Sequence, residues 1–171
     1  YGVQSAGAPS MKDSLEQHKM LTLDSVSTFA DGIAVKHPGD LTYELVNEYV
    51  DGIVTVTDDE AAAAVLALIE RQKLIAEGAG AVAVAAAMYN KGDIKGKKTV
   101  CLLSGGNIDV NILSRVIARG LMMAGRSSTL TIALEDKPGQ LQGVSEVISR
   151  CGGNVVSVHY SQADTNMRIT S

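Results

Sequence analysis

Ser104-Gly105-Gly106-Asn107 follows the apolar run Thr99-Val100-Cys101-Leu102-Leu103 and precedes a helical pattern. A hydroxyl at a strand end, two glycines and a helix start form a natural place for a ligand. Glycine lets another group approach the backbone closely, and a helix N-terminus favours negative charge. In open parallel sheets, ligands bind beyond the carboxyl ends of the strands. A plain strand-to-helix turn would use the same two glycines for geometry, and the pattern alone does not separate these readings. The G-x-G-x-x-G spacing is missing, so a nicotinamide dehydrogenase is not supported. Glu77 offers a second polar group, between Ala76 and Gly78-Ala79-Gly80 where close backbone approach is easy. It could equally be an ordinary acid at the positive end of a helix.

The elements that must position these residues alternate. Ile33-Ala34-Val35 and Ile53-Val54-Thr55-Val56 read as strands, with helical spacing from Leu41 to Tyr49 between them and Asp40 as the expected N-cap. Thr57 and Glu60 have the spacing of a capping box, and Asp58 and Asp59 suit the same helix end. That helix should reach Arg71 or Lys73, and a small-residue helix should follow from Ala79 to Tyr89. After the Thr99–Leu103 strand, Ile112, Leu113, Val116, Ile117 and Gly120 share one helical face. Strands apolar on both faces, alternating with helices, imply an α/β domain layered on a buried parallel sheet over residues 1–125. Gly125-Arg126-Ser127-Ser128 reads as a linker, centred on 126–128. Beyond it, 129–171 reads as a partial α+β unit. A strand carries Leu130, Ile132 and Leu134, a turn spans Asp136 to Gly139, and a helix carries Leu141 to Cys151. A second strand carries Val156, Val158 and Tyr160.

Composition narrows the function. The chain has 171 residues, enough for one domain and a fragment of another. Its net charge of −4 gives no cationic surface for phosphate contacts, and with no Trp and one Phe it has few rings to stack on bases, so no nucleic-acid partner is expected. The longest low-charge run, Gly78 to Tyr89, is too short to span a membrane, and no basic leader opens the chain. Cys101 and Cys151 sit in apolar stretches and read as buried thiols in a reducing, cytoplasmic compartment. His18, His37 and His159 pair with no Cys or Asp at metal spacing. Tyr1-Gly2-Val3-Gln4 reads as a strand already under way, and Met167 to Ser171 as a strand that halts. A piece of a longer protein is therefore expected.

Three motifs occur in order: Leu23-Asp24-Ser25-Val26-Ser27-Thr28-Phe29-Ala30-Asp31-Gly32-Ile33, then Ala76-Glu77-Gly78-Ala79-Gly80, then Leu103-Ser104-Gly105-Gly106-Asn107-Ile108-Asp109. Together they closely resemble the C-terminal half of the threonine dehydratase (threonine ammonia-lyase) family, fold-type-II pyridoxal-phosphate enzymes. From Thr129 onward, Asp136-Lys137-Pro138-Gly139-Gln140-Leu141 and Gly153-Asn154-Val155 resemble the front half of an ACT regulatory domain. The resemblance implies pyridoxal 5'-phosphate as cofactor and L-threonine, with L-serine, as substrate, each converted to a 2-oxo acid and ammonia. It places Ser104 at the pyridine nitrogen of the coenzyme, with Gly105, Gly106 and Asn107 in the same turn, and puts Glu77 and Gly32 nearby. A neutral hydroxyl at that nitrogen suits an unprotonated ring, where a carboxylate would favour the pyridinium. It also implies a homo-oligomer and an amino-acid or nucleotide effector, bound near Asp136, Gly139 and Asn154. Turn chemistry by itself also explains an Asp and an Asn in such loops.

The departures from that family matter too. Its Schiff-base lysine lies in an S-F-K-x-R-G-A type motif, and no lysine here has that context, Lys36 being the nearest decoy. The glycine-rich phosphate loop is also missing, so no catalytic residue is expected in these residues and the segment alone should be inactive. Some relatives hold a divalent cation through carboxylates near Gln4 and Ser10, where this chain has no acid. The Ala8 carbonyl would serve Mg²⁺ poorly, so no divalent site is expected and a monovalent cation is left open. The competing reading is a non-catalytic amino-acid-sensing module in which the α/β part only scaffolds the ACT-like region.

Overall fold

The computed structural model describes residues 1–161. The strand expected at 167–171 lies outside them. Two compact units are present, Tyr1–Ser128 and Thr129–Ser171.

In the first unit, β1 (Gly2–Ser5) pairs in parallel with β2 (Ile53–Val56), with Gly2 opposite Ile53 and Ser5 opposite Val56. The connection between them carries α1 (Ser10–Glu16) and α2 (Asp40–Tyr49). At the start of α2 the N-cap is Gly39, one residue before the expected Asp40. Gly39 has extended backbone, and its carbonyl accepts the Thr42 hydroxyl at 2.8 Å.

Helix α3 (Asp58–Ala67) follows β2, and its capping box forms as the spacing predicts. Thr57 Oγ1 accepts from the Glu60 N–H at 3.2 Å, while Glu60 Oε2 accepts from the Thr57 N–H at 2.8 Å. Its alanines run all round the helix and leave it no polar face, which fits a helix covered on two sides. It packs against both α4 (Gly78–Met88) and α5 (Val110–Met123). A π-helical turn, Leu68–Gln72, extends α3, and Lys73 in the left-handed region (φ 59°) stops it, with Lys73 Nζ donating to the Glu70 carbonyl at 2.6 Å. The core collects Val56 from the sheet, Ala61, Ala64 and Val65 from α3, Ala81 and Ala85 from α4, and Val116 from α5. Close packing at α5 depends on Gly120, where a Cβ would lie 2.9 Å from Leu66 Cβ and 3.0 Å from the Ala62 carbonyl. Ion pairs brace the layer at its rim, Asp59 with Arg119 at 2.5 Å and Glu60 with Lys91 at 2.8 Å.

In the second unit, α6 (Gln140–Arg150) starts after Gly139 (φ 88°) and ends in a Schellman motif. The Gly152 and Gly153 N–H groups donate to the carbonyls of Ser149 and Ile148, each at 2.9 Å. The stop expected at these glycines is thus explained by hydrogen bonding.

Several expected strands do not form. Ile33-Ala34-Val35 enters a 3₁₀ turn, Asp31–Ile33, because the Ile33 and Ala34 N–H groups find acceptors in the nearby Ala30 and Asp31 carbonyls, each at 3.1 Å. Thr99–Leu103 joins no ladder among the described residues, and Val100 is 95% exposed. The segments carrying Leu130 to Leu134 and Val156 to Tyr160 join none either. A strand completes its hydrogen bonds only through a neighbour, and the described sheet consists of β1 and β2. The expectation of two buried thiols also fails: Cys151 caps α6 at an exposed helix end, and Cys101 is only partly covered; both are free.

Candidate functional site

Three stretches far apart in sequence meet at the start of α4. The first is the loop 28–32. Asp58, the first residue of α3, binds it with both carboxylate oxygens: Oδ1 accepts from the Thr28 hydroxyl at 2.5 Å and Oδ2 from the Phe29 N–H at 3.2 Å. The Thr28 oxygen accepts in turn from the Ala30 N–H at 3.1 Å. The loop presses on α4 where only glycine fits, because a Cβ on Gly78 would lie 2.5 Å from the Phe29 ring and 3.1 Å from Ala30 Cα. Gly32, two residues on and exposed, lies against Ala79 and Glu77. The Ala79 Cβ and Glu77 Oε1 are 3.1 and 3.8 Å from where a Gly32 side chain would begin.

The second stretch is Glu77–Gly80. Glu77 occupies the N-cap position of α4, but its side chain makes no capping hydrogen bond. The half-buried carboxylate packs instead against Gly105, with Oε1 2.3 Å from the point a Gly105 Cβ would occupy. The reading of Glu77 as an ordinary helix-start acid therefore explains its position but not its orientation.

The third is the turn 104–107. The Gly105 carbonyl accepts from the Glu77 N–H at 3.2 Å. It also fills the space beside Gly80, where a Cβ would lie 2.3 Å from it. Gly106 lies against the Ile75 carbonyl, which a Cβ would approach to 2.8 Å. Gly106 and Gly80 are thus required by close backbone approach, whereas a side chain at Gly105 would meet the Glu77 carboxylate. Ser104 and Asn107 are exposed. One expectation needs correction: the positive end of α5 already carries the chain's own anion. Asp109 caps it, Oδ1 accepting from the N–H groups of Asn111 at 2.8 Å and Ile112 at 3.3 Å. The N-terminus of α5 is therefore already capped from within the chain and does not stand open as an anion site.

Reasoning from sequence missed Asp58 and Asp109. Asp109 had a readable signal, an Asp immediately before an amphipathic run. Asp58 had none, because its partners lie 30 residues earlier.

In the second unit, Asp136 and Gly139 lie on an open cavity of about 320 Å³ that also involves Leu134, Lys137, Leu141 and Tyr160. Asn154 is exposed and is not part of its lining. Among the described residues no three His, Cys, Asp or Glu side chains gather as a metal cluster, and no helix is long and apolar enough to cross a membrane.

Residues 1–105 match the family described as pyridoxal-phosphate dependent enzyme. The chain belongs to this family. It is 47% identical over 162 residues to an L-threonine ammonia-lyase of Thermotoga maritima, covering 95% of this chain and 40% of that protein. A Geobacter sulfurreducens protein of the same name is 42% identical over 168 residues, covering 98% of this chain and 42% of that one. Among solved structures, the processed form of threonine deaminase isoform 2 from Solanum lycopersicum superposes with a TM-score of 0.62 at 34% identity, over 74% of this chain and 34% of that one. This pyridoxal-phosphate family chain thus spans about two fifths of the length of these curated relatives. The resemblance drawn from the three motifs holds at the level of the family, its fold-type-II α/β architecture and its coenzyme.

At this corner Gly32, Gly105 and Gly106 are packed against the chain's own atoms (Ala79, the Glu77 carboxylate and the Ile75 carbonyl in turn), and the exposed Ser104 beside them offers a neutral hydroxyl of the kind that suits an unprotonated ring nitrogen.

Proposed function

We propose that the whole protein is a pyridoxal-phosphate-dependent threonine ammonia-lyase, converting L-threonine to 2-oxobutanoate and ammonia and L-serine to pyruvate and ammonia. The observation that carries this reading is the meeting of Gly32, Glu77 and Gly105, one from each motif, beside an exposed Ser104. Relatives bearing that activity in their names, alike over nearly the entire chain, support it.

When bound, the coenzyme supplies an electron-withdrawing ring that stabilises negative charge at the substrate α-carbon. The residues here hold that ring. Ser104 donates its hydroxyl to the ring nitrogen without demanding that the nitrogen be protonated, which moderates the withdrawal of charge and favours loss of the β-hydroxyl. Gly105 and Gly106 bring backbone up to the ring edge. Glu77, fixed against Gly105, holds the Ser104 turn against α4. The lysine that links the coenzyme and the loop that binds its phosphate belong, in this reading, to the rest of the protein.

The second unit is proposed as part of an ACT-type regulatory domain, binding an amino-acid or nucleotide effector at Asp136, Gly139 and Asn154 in a cytoplasmic homo-oligomer. The cavity at Asp136 and Gly139 supports the first two of those residues. The test of the enzyme reading uses the full-length protein. It should be yellow and release ammonia from L-threonine, and Ser104→Ala should weaken coenzyme binding and lower the rate. Colourless, inactive wild-type protein would return the sensing module as the better reading.

A further inference from the structure

We infer that Asp58 is a positioning residue for the coenzyme-facing loop, holding residues 28–32 so that Gly32 stands beside Glu77; this rests on the coenzyme reading above. Three acids, Asp58, Asp59 and Glu60, open α3. Two have evident work in the helix layer. Glu60 completes the capping box and pairs with Lys91, and Asp59 pairs with Arg119. Asp58 instead turns both oxygens onto a loop 30 and 29 residues earlier. Its bonds to Thr28 and Phe29, with the Thr28 hydroxyl relaying to the Ala30 N–H, fix three successive residues. Hydrogen bonds to a carboxylate are stronger than neutral ones, so this is a firm anchor.

What the anchor positions is the front of the coenzyme corner. It seats the Phe29 ring and Ala30, itself 1% exposed, on Gly78. Two residues further on the chain delivers Gly32 to Ala79 and Glu77, and Glu77 in turn lies against Gly105, next to Ser104. Asp58 touches none of the residues proposed to meet the coenzyme; it acts on them through Thr28 to Ala30.

The test compares full-length variants by absorbance titration of the coenzyme-free protein with pyridoxal phosphate, and by amide exchange at residues 28–33 before coenzyme is added. Asp58→Asn keeps the shape and loses one acceptor. It should weaken coenzyme binding about tenfold, or about 1.4 kcal/mol, and speed exchange in the loop. Thr28→Val should behave similarly and Thr28→Ser should restore near-wild-type binding, while the Asp58→Asn, Thr28→Val pair should be no weaker than either change alone. Asp59→Asn, which loosens the same helix start through Arg119, should leave coenzyme affinity within about twofold. If Asp58→Asn does not fold, the two Thr28 variants decide the matter. Unchanged affinity in Asp58→Asn or Thr28→Val, or an equal loss in Asp59→Asn, overturns the inference while the coenzyme reading stands. A wild-type protein that takes up no coenzyme overturns both.

Discussion

Alanines and glycines fill the layer where α3 lies between α4 and α5, and there Ala64, Val65, Ala81 and Ala85 are fully buried. Larger and more apolar side chains elsewhere, Val100, Leu102, Leu130 and Val156, stand 66% to 95% exposed. Hydrophobicity therefore does not rank burial in this chain; the supply of partners does. A helix closes its own backbone hydrogen bonds and needs only one covered face, whereas an extended segment needs a neighbour for its backbone before its side chains can be buried. The contrast places the rigid half of the proposed coenzyme corner on the helix layer, through Glu77 and Gly80. It leaves Ser104 at the end of a segment that has no ladder partner among the described residues.

The strongest way to break this comparison is to add one methyl group inside the closed layer. Gly80→Ala would drive a Cβ to 2.3 Å from the Gly105 carbonyl and 2.9 Å from its nitrogen, both backbone atoms with no rotamer to escape into. We expect a loss of about 3 kcal/mol in denaturant unfolding of the full-length protein, together with weaker coenzyme binding because the Ser104 turn must shift. A variant as stable as wild type would show that the turn and α4 are not in close contact. A smaller effect is expected at the other end of the same layer. Thr57→Ala removes the capping-box acceptor and should cost about 1 kcal/mol, measured in the same way, with little change in coenzyme affinity.

The opposite sign sharpens the comparison. Gly143 lies inside α6, and a Cβ there would meet nothing within 4 Å. Gly143→Ala should slow amide exchange across α6 by the equivalent of about 0.8 kcal/mol, because helix propensity is the term that changes. Faster exchange would mean that this face of α6 is covered in the full-length protein.

The same distinction explains what could be read from sequence. Helices α2, α3, α4, α5 and α6 were all legible, α3 down to its capping box, because periodicity, caps and C-terminal glycines are local signals. The strand β2 was legible and found its partner in β1. Thr99–Leu103, 129–134 and 155–160 carried equally good strand patterns, but pairing depends on what lies alongside, which no local pattern encodes. In the site, Glu77, Gly105 and Gly32 were named as separate candidates, and their mutual contact became visible only in the fold. Asp58 looked like a helix-dipole acid, because a carboxylate that bonds two loop groups has the same local sequence as one facing solvent.

The smallest expected effect concerns the rim of the layer and its dependence on pH. Burial pushes the Glu60 carboxyl up, but the Lys91 ammonium at 2.8 Å and the Thr57 N–H outweigh burial and hold it below its ordinary 4.5. The folded protein thus favours the ionised form more than the unfolded chain does. The resulting stability is complete above the ordinary value, and it is lost as pH falls through 4.5 and then through the lowered folded value. In Lys91→Met the upward push of burial loses its main counterweight, so the stabilising contribution shrinks and the Glu60 carboxyl moves upward. We expect the variant to melt slightly lower than wild type at neutral pH, by the equivalent of about 0.5 kcal/mol, and the two melting curves to converge in acid once Glu60 is protonated in both. A melting difference that persisted unchanged through the acid range would show that Lys91 braces the α3–α4 rim by packing its aliphatic stem, with its charge playing no part.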